Sequence, residues 1–245
     1  MIKNNKVFII TGLLFFVLLG SYVTYRGFFS KPYLTVIGAV NMADGIGRQS
    51  VEVMETLKDK VSIGFVSTSY PCFKDVPKSI RRTIKNKWRP LGKCILFEES
   101  VWTPEKNHFE QLKTKKNSHQ VRLAYTMFES SQIPNEWVNI LNEYFDAAIV
   151  PDPYFIKVYQ NSGVDIPIFV LPLGLNLQPF LNEKVKTKPH FPLVFGNLTA
   201  LIERKNHLVL IEAFHAAFGN SESVSLRLNA RYWDDTLASK IQSFI

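Results

Sequence analysis

Cysteine is scarce in this chain: its 245 residues include two, Cys72 and Cys94. They lie too far apart for a CxxC metal or redox motif, and no second pair exists to complete a zinc site. Both are expected to be buried free thiols, with a single disulfide open to them in an oxidising compartment. Histidine offers no metal site either, because His108 and His119 lack a paired ligand spacing and read as surface or structural residues. Acidic residues are outnumbered, 21 against 29 basic, and the net charge of +8 fits affinity for phosphates, anionic lipid or nucleic acid. Nucleic acid is set aside as a partner, since the basic residues have neither interleaved aromatics nor a recognised motif. There is no internal repeat and no low-complexity segment, which removes repeat architectures.

What is present is apolar: 46% of the residues, enough for a real core in one large or two small domains. Val7 to Tyr25 is uncharged and mostly apolar, roughly the 20 residues a helix needs to cross a bilayer. Gly20-Ser21 is a weak cleavage site, so residues 1–31 are expected to be an uncleaved single-pass membrane anchor with its flanks. Lys3 and Lys6 on one side nearly balance Arg26 and Lys31 on the other, with a slight tilt towards a cytosolic catalytic face.

Beyond the anchor, apolar strands alternate with helical stripes. Leu34–Val40 reads as a buried strand, followed by the loop Asn41–Gly47 and a helix carrying Val51, Met54 and Leu57. Gly45, Gly47 and Arg48 stand where glycines allow close backbone approach and a helix start offers N–H groups to a phosphate or sugar hydroxyl; a tight turn between strand and helix is the competing reading. The dinucleotide fingerprint fails for want of a third glycine. Val61–Val66 makes a second strand, implying parallel pairing with the first. Between Val76 and Trp88, Ile80, Ile84 and Trp88 form one face and Lys78, Arg81, Arg82, Lys85 and Arg89 the other: a solvated basic face, or a surface for anionic headgroups. Further strands are expected at Lys93–Phe97, Val121–Met127 and Asp146–Val150, with a helix carrying Trp137, Ile140, Leu141, Tyr144 and Phe145 before the last. Glu98-Glu99, at a strand's end, read as solvated carboxylates with ligand binding as the second choice. Glu129 falls in a loop at a strand's carboxyl end, where open α/β sheets place ligands.

After a polar linker, residues 181–190, the stretch Phe191–Phe214 reads as strand, loop and helix start. Arg204 and Lys205 are expected at the start of that helix, where the macrodipole ordinarily favours acidic residues. A bound phosphate would explain two cations there; a solvated pair is the alternative.

Several runs carry a resemblance. Arg204-Lys205-Asn206 followed by Leu210-Ile-Glu-Ala-Phe214, and Thr126-Met-Phe-Glu-Ser-Ser with Ile133-Pro-x-x-Trp-Val138, Ile149-Val-Pro151 and Phe169-Val-Leu-Pro172, are similar to the retaining GT-B glycosyltransferases of the large family 4 type. Departures are Gly196-Asn197 for Gly-Arg, Asp152 for serine, and Pro172-Leu-Gly-Leu-Asn176 for Pro-His-Gly-x-Asp. Nothing matches the family's glutamate-bearing donor motif. The resemblance implies an α/β GT-B-like fold: a complete amino-terminal Rossmann-like domain over 32–180 and the beginning of a second over 191–245. It implies transfer of a sugar from a nucleotide-diphosphate sugar to a hydroxyl acceptor, a glycan or lipid-linked glycan. Arg204, Lys205 and Asn206 would hold the diphosphate, Gly45, Gly47 and Arg48 the glycine loop, and Glu129 a substrate contact. No cofactor or metal is expected, and no catalytic residue can be named. A non-catalytic remnant or fragment is the alternative.

Overall fold

The computed structural model describes residues 30–103, 119–174, 176–184, 191–229 and 234–244. The chain divides into two compact units, Met1–Leu177 and Gln178–Ile245.

The first unit is built on a six-stranded parallel sheet in the order β2-β1-β3-β4-β5-β6. Its strands are β1 (Leu34–Gly38), β2 (Ile63–Ser67), β3 (Cys94–Glu98), β4 (Val121–Tyr125), β5 (Ala147–Val150) and β6 (Ile168–Val170). Four helices belong to it: α1 (Gly45–Leu57), α2 (Lys78–Lys85), α3 (Asn135–Tyr144) and α4 (Tyr154–Asn161). Successive strand side chains point to opposite faces, and two cores follow from that alternation. Leu34, Val36, Phe65, Leu96 and Tyr125 pack with Val51 and Met54 of α1 and Ile80 and Ile84 of α2. Ile37, Ile95, Phe97 and Ala124 pack with Trp137, Ile140 and Leu141 of α3 and Val158 and Tyr159 of α4. Covering both faces is what allows the runs to be apolar at consecutive positions.

Local chemistry sets the helix ends. Asp44 caps α1, its carboxylate accepting the Gly47 N–H at 3.0 Å. A Cβ at Gly47 would lie 2.6 Å from the backbone nitrogen of Asn41, so the helix start and its loop touch only because this residue is glycine. Gly47→Ala is expected to cost about 1–3 kcal/mol through overpacking, read as a lower urea midpoint with an unchanged m-value.

Helix α2 ends at Lys85, earlier than its sequence pattern implies. Trp88 is therefore not part of the apolar stripe but 76% exposed. The basic residues around this helix fold back on the protein. Arg81 donates to the carbonyls of Val76 and Phe73 at 3.0 and 3.3 Å. Arg89 donates to the Ile63 carbonyl at 2.5 Å and to the Ser30 carbonyl at 3.0 Å. Both cysteines are free, but Cys72 is exposed rather than buried, because it lies in the irregular segment after β2.

The second unit contains α5 (Gln178–Leu181), β7 (Leu193–Leu198), α6 (His207–Phe218), β8 (Val224–Asn229) and α7 (Asp235–Phe244). Strands β7 and β8 pair in parallel. Its buried cluster is small: Leu201, Leu237, Ala238 and Ile241, with Leu208 and Ile211 against it. Strand β7, apolar enough to read as buried, leaves Leu193, Val194, Phe195 and Leu198 exposed.

The expected transmembrane helix and membrane location are corrected. Among the described residues no helix is long and apolar enough to cross a membrane. The longest, α1, has 13 residues and polar side chains on one side, against the roughly 20 apolar residues a crossing needs. Val7–Tyr25 lies outside the described residues. The fold that is described is mixed α/β, centred on a parallel six-stranded sheet.

Candidate functional site

Strand order brings the site together. The chain steps from β1 outward to β2 and then returns to place β3 on the other side of β1. Connections leaving β1 and β3 consequently diverge, opening a crevice at the strands' carboxyl ends where doubly wound sheets bind ligands. A cleft of about 290 Å³ lies there. Ile46 and Gln49 of α1 line it, with Glu98 at the end of β3, Trp102 beyond it, Tyr125 at the end of β4, and Thr126 to Glu129 in the next loop.

Glu98 is the most unusual group in the cleft. It is 1% exposed, and its only protein hydrogen bond comes from Gln49, whose Nε2 donates to Oε1 at 3.4 Å; Oε2 is buried without a partner. Burial disfavours the charged form and pushes its pKa up to about 7, against the opposing pull of the nearby Ser50 and Gln49 side chains. The adjacent Glu99 is anchored differently, accepting from Thr68 Oγ1 at 3.1 Å and from the Ser100 N–H at 3.1 Å. Tyr125 donates its hydroxyl to the Leu171 carbonyl at 2.5 Å, and burial together with the Glu98 charge raises its pKa to about 12. Thr126 Oγ1 is a second buried polar atom in the cleft with no hydrogen-bond partner.

The walls are aromatic. Trp137 is buried and donates Nε1–H to the Trp102 carbonyl at 2.9 Å. Its ring meets Phe128 edge-on at 5.1 Å, tying the loop after β4 to α3. Few polar groups among apolar and aromatic walls is the usual composition of a small-molecule site.

The structure distributes the sequence candidates as follows. Glu129 is exposed and lines the cleft. Gly45 is exposed, Gly47 is buried against the Asn41 backbone, and Arg48 pairs with Glu52 at 3.5 Å. These three do not line the cleft; their neighbours Ile46 and Gln49 do. An anion at the start of α1 would have to compete with the Asp44 carboxylate already there.

Arg204, Lys205 and Asn206 belong to the second unit. The two cations occupy a 3-10 turn, Glu203–Lys205, and α6 begins only at His207. Asn206 separates turn and helix in the left-handed conformation, φ 53° and ψ 48°, which asparagine tolerates better than most residues. All three are exposed, and among the described residues Arg204 and Lys205 form no ion pair. The loop before them is held by Thr199, whose hydroxyl donates to Asn197 Oδ1 at 2.7 Å and so accepts from His207 Nε2 at 3.1 Å. Asn206 and His207 line a smaller cleft of about 190 Å³ with Asp234 and Lys240.

Glu98 was the residue hardest to find from sequence. An acidic pair at a strand end reads as solvated, and only the central place of β3 in the sheet buries the first of the two. Gln49 and Thr126 carried no signal, and Trp137 read simply as core. Among the described residues no group of three or more His, Cys, Asp or Glu side chains is placed to hold a metal ion. No family model matches the chain, and no curated protein matches it.

Proposed function

We propose that this chain is a glycosyltransferase that moves a sugar from a nucleotide-diphosphate sugar to a hydroxyl acceptor, a glycan or glycolipid. The observation that carries the reading is the cleft at the carboxyl ends of β3 and β4, where a buried carboxylate sits among aromatic walls. It takes hydroxyl-rich ligands. The exposed Arg204 and Lys205 supply the complementary chemistry, offsetting charge as it builds on the leaving diphosphate. Their long side chains, without ion-pair partners among the described residues, lose no existing contact when a phosphate arrives.

Calorimetric titration with UDP- and GDP-sugars tests this. Saturable binding is expected, weakened at least about tenfold in Arg204→Ala/Lys205→Ala, since each charge-assisted bond contributes about 1.5–3 kcal/mol. A folded protein that binds none of these donors would remove the proposal. A second reading, binding without turnover, rests on the thin cover of β7 in the second unit. Donor binding with no glycosylated product under any acceptor would favour it.

A further inference from the structure

We infer that Glu98 is the ligand-binding group of the first unit's cleft: its buried, unpartnered Oε2 accepts a hydrogen bond from a saccharide hydroxyl, with Thr126 Oγ1 as the second polar contact. This deepens the glycosyltransferase reading and rests on it for the ligand class. Two facts point to a ligand rather than to a structural carboxylate. A carboxylate that holds a fold together spends its oxygens on backbone N–H groups or cations, as Glu99 does on Thr68 and Ser100. Glu98, 1% exposed, has a single long bond from Gln49. Leaving a buried acceptor without a partner is costly, and here the unpartnered group lines a cleft of about 290 Å³.

The surrounding chemistry selects the ligand. Glu98, Glu99 and Glu129 line the cleft and no lysine or arginine does, so phosphate and carboxylate ligands are repelled. On α1 the nearest charged residues, Arg48 and Glu52, are paired with one another. Trp102, Phe128 and Trp137 offer apolar surface to the carbon face of a ring, while an ionised carboxylate and a hydroxyl meet its OH groups. A neutral saccharide satisfies both requirements.

Protonation then controls affinity. Only the ionised carboxylate is free to accept at both oxygens, and Glu98 titrates at about 7. The groups facing it are Gln49 and Ser50 from α1, Tyr125 from β4, and the carboxylates Glu99 and Glu129 lining the cleft. Tyr125, raised to about 12, stays neutral throughout. Affinity should therefore rise about tenfold between about pH 6 and about pH 8, as the ionised fraction grows from about one tenth to about nine tenths.

Trp102 and Trp137 make intrinsic fluorescence a direct probe. The full chain and Glu98→Gln are titrated with glucose, N-acetylglucosamine and mannose at the two pH values, with thermal unfolding as the check on folding. The expected result is a saturable response to at least one sugar, with the tenfold pH effect. Glu98→Gln should bind at least tenfold more weakly at the higher pH and show no pH effect. No saturation by any of the three, an unchanged Glu98→Gln titration, or a response to magnesium ion in place of sugar would overturn the inference. Donor binding through Arg204 and Lys205 with no sugar response would remove the Glu98 subsite alone. Glu98-dependent sugar binding with no donor binding would remove the transfer reaction and leave the subsite standing.

Discussion

Glu98→Gln is expected to be more stable than the native protein by about 2–3 kcal/mol at about pH 8, with the advantage vanishing at about pH 4.5. Burial raises the Glu98 pKa from 4.5 to about 7 in the folded state. Between those values the folded protein binds more protons than the unfolded chain, so native stability falls as pH rises through this window. The shift of about 2.5 units corresponds to roughly 3.4 kcal/mol, reduced by the cost of burying the new amide N–H groups without a partner. Urea unfolding of both proteins at the two pH values measures it. A variant that is less stable at both would make Glu98 a structural carboxylate. The expected gain has a functional meaning, because a side chain whose removal stabilises the fold is kept for what it binds.

Trp137→Ala should lose about 3–5 kcal/mol, the usual cost of deleting a large buried aromatic side chain. Three interactions go at once: packing between α3 and the sheet, the edge-on contact with Phe128 at 5.1 Å, and the 2.9 Å bond that satisfies the Trp102 carbonyl. Trp137→Phe keeps most of the volume and forfeits the hydrogen bond, so it should cost about 1–3 kcal/mol. The two losses, from denaturant midpoints, separate packing from hydrogen bonding. A loss below about 1 kcal/mol for the alanine variant would show that the cleft wall is not coupled to the core.

Alternating strands and helices were legible because both faces of the sheet are covered. Runs such as Leu34–Gly38 and Ile63–Ser67 are apolar at successive positions, and the stripes of α1 and α3 recur at helical spacing. Ends were less so. Ile80, Ile84 and Trp88 share a helical period, but the backbone leaves the helix at Asn86, φ −83° and ψ 84°, and Trp88 leaves the stripe with it. Arg204 and Lys205 likewise precede their helix because Asn206 turns left-handed between them. Both outcomes depend on single backbone conformations that side-chain periodicity does not encode.

Which segments are strands and which are helices follows from the sequence alone, since periodic burial is written in the order of apolar residues. Tertiary structure decided the identity of the site. Glu98 and Glu99 are adjacent and chemically alike, and alternation along β3 sends one into the cleft while the other reaches Thr68. Gln49, Glu98 and Thr126 are far apart in the chain and meet because β1, β3 and β4 are neighbours in the sheet. Burial, and with it a carboxyl group that titrates near neutrality, is a property of that meeting, because desolvation is imposed by the surrounding elements and not by the residue itself.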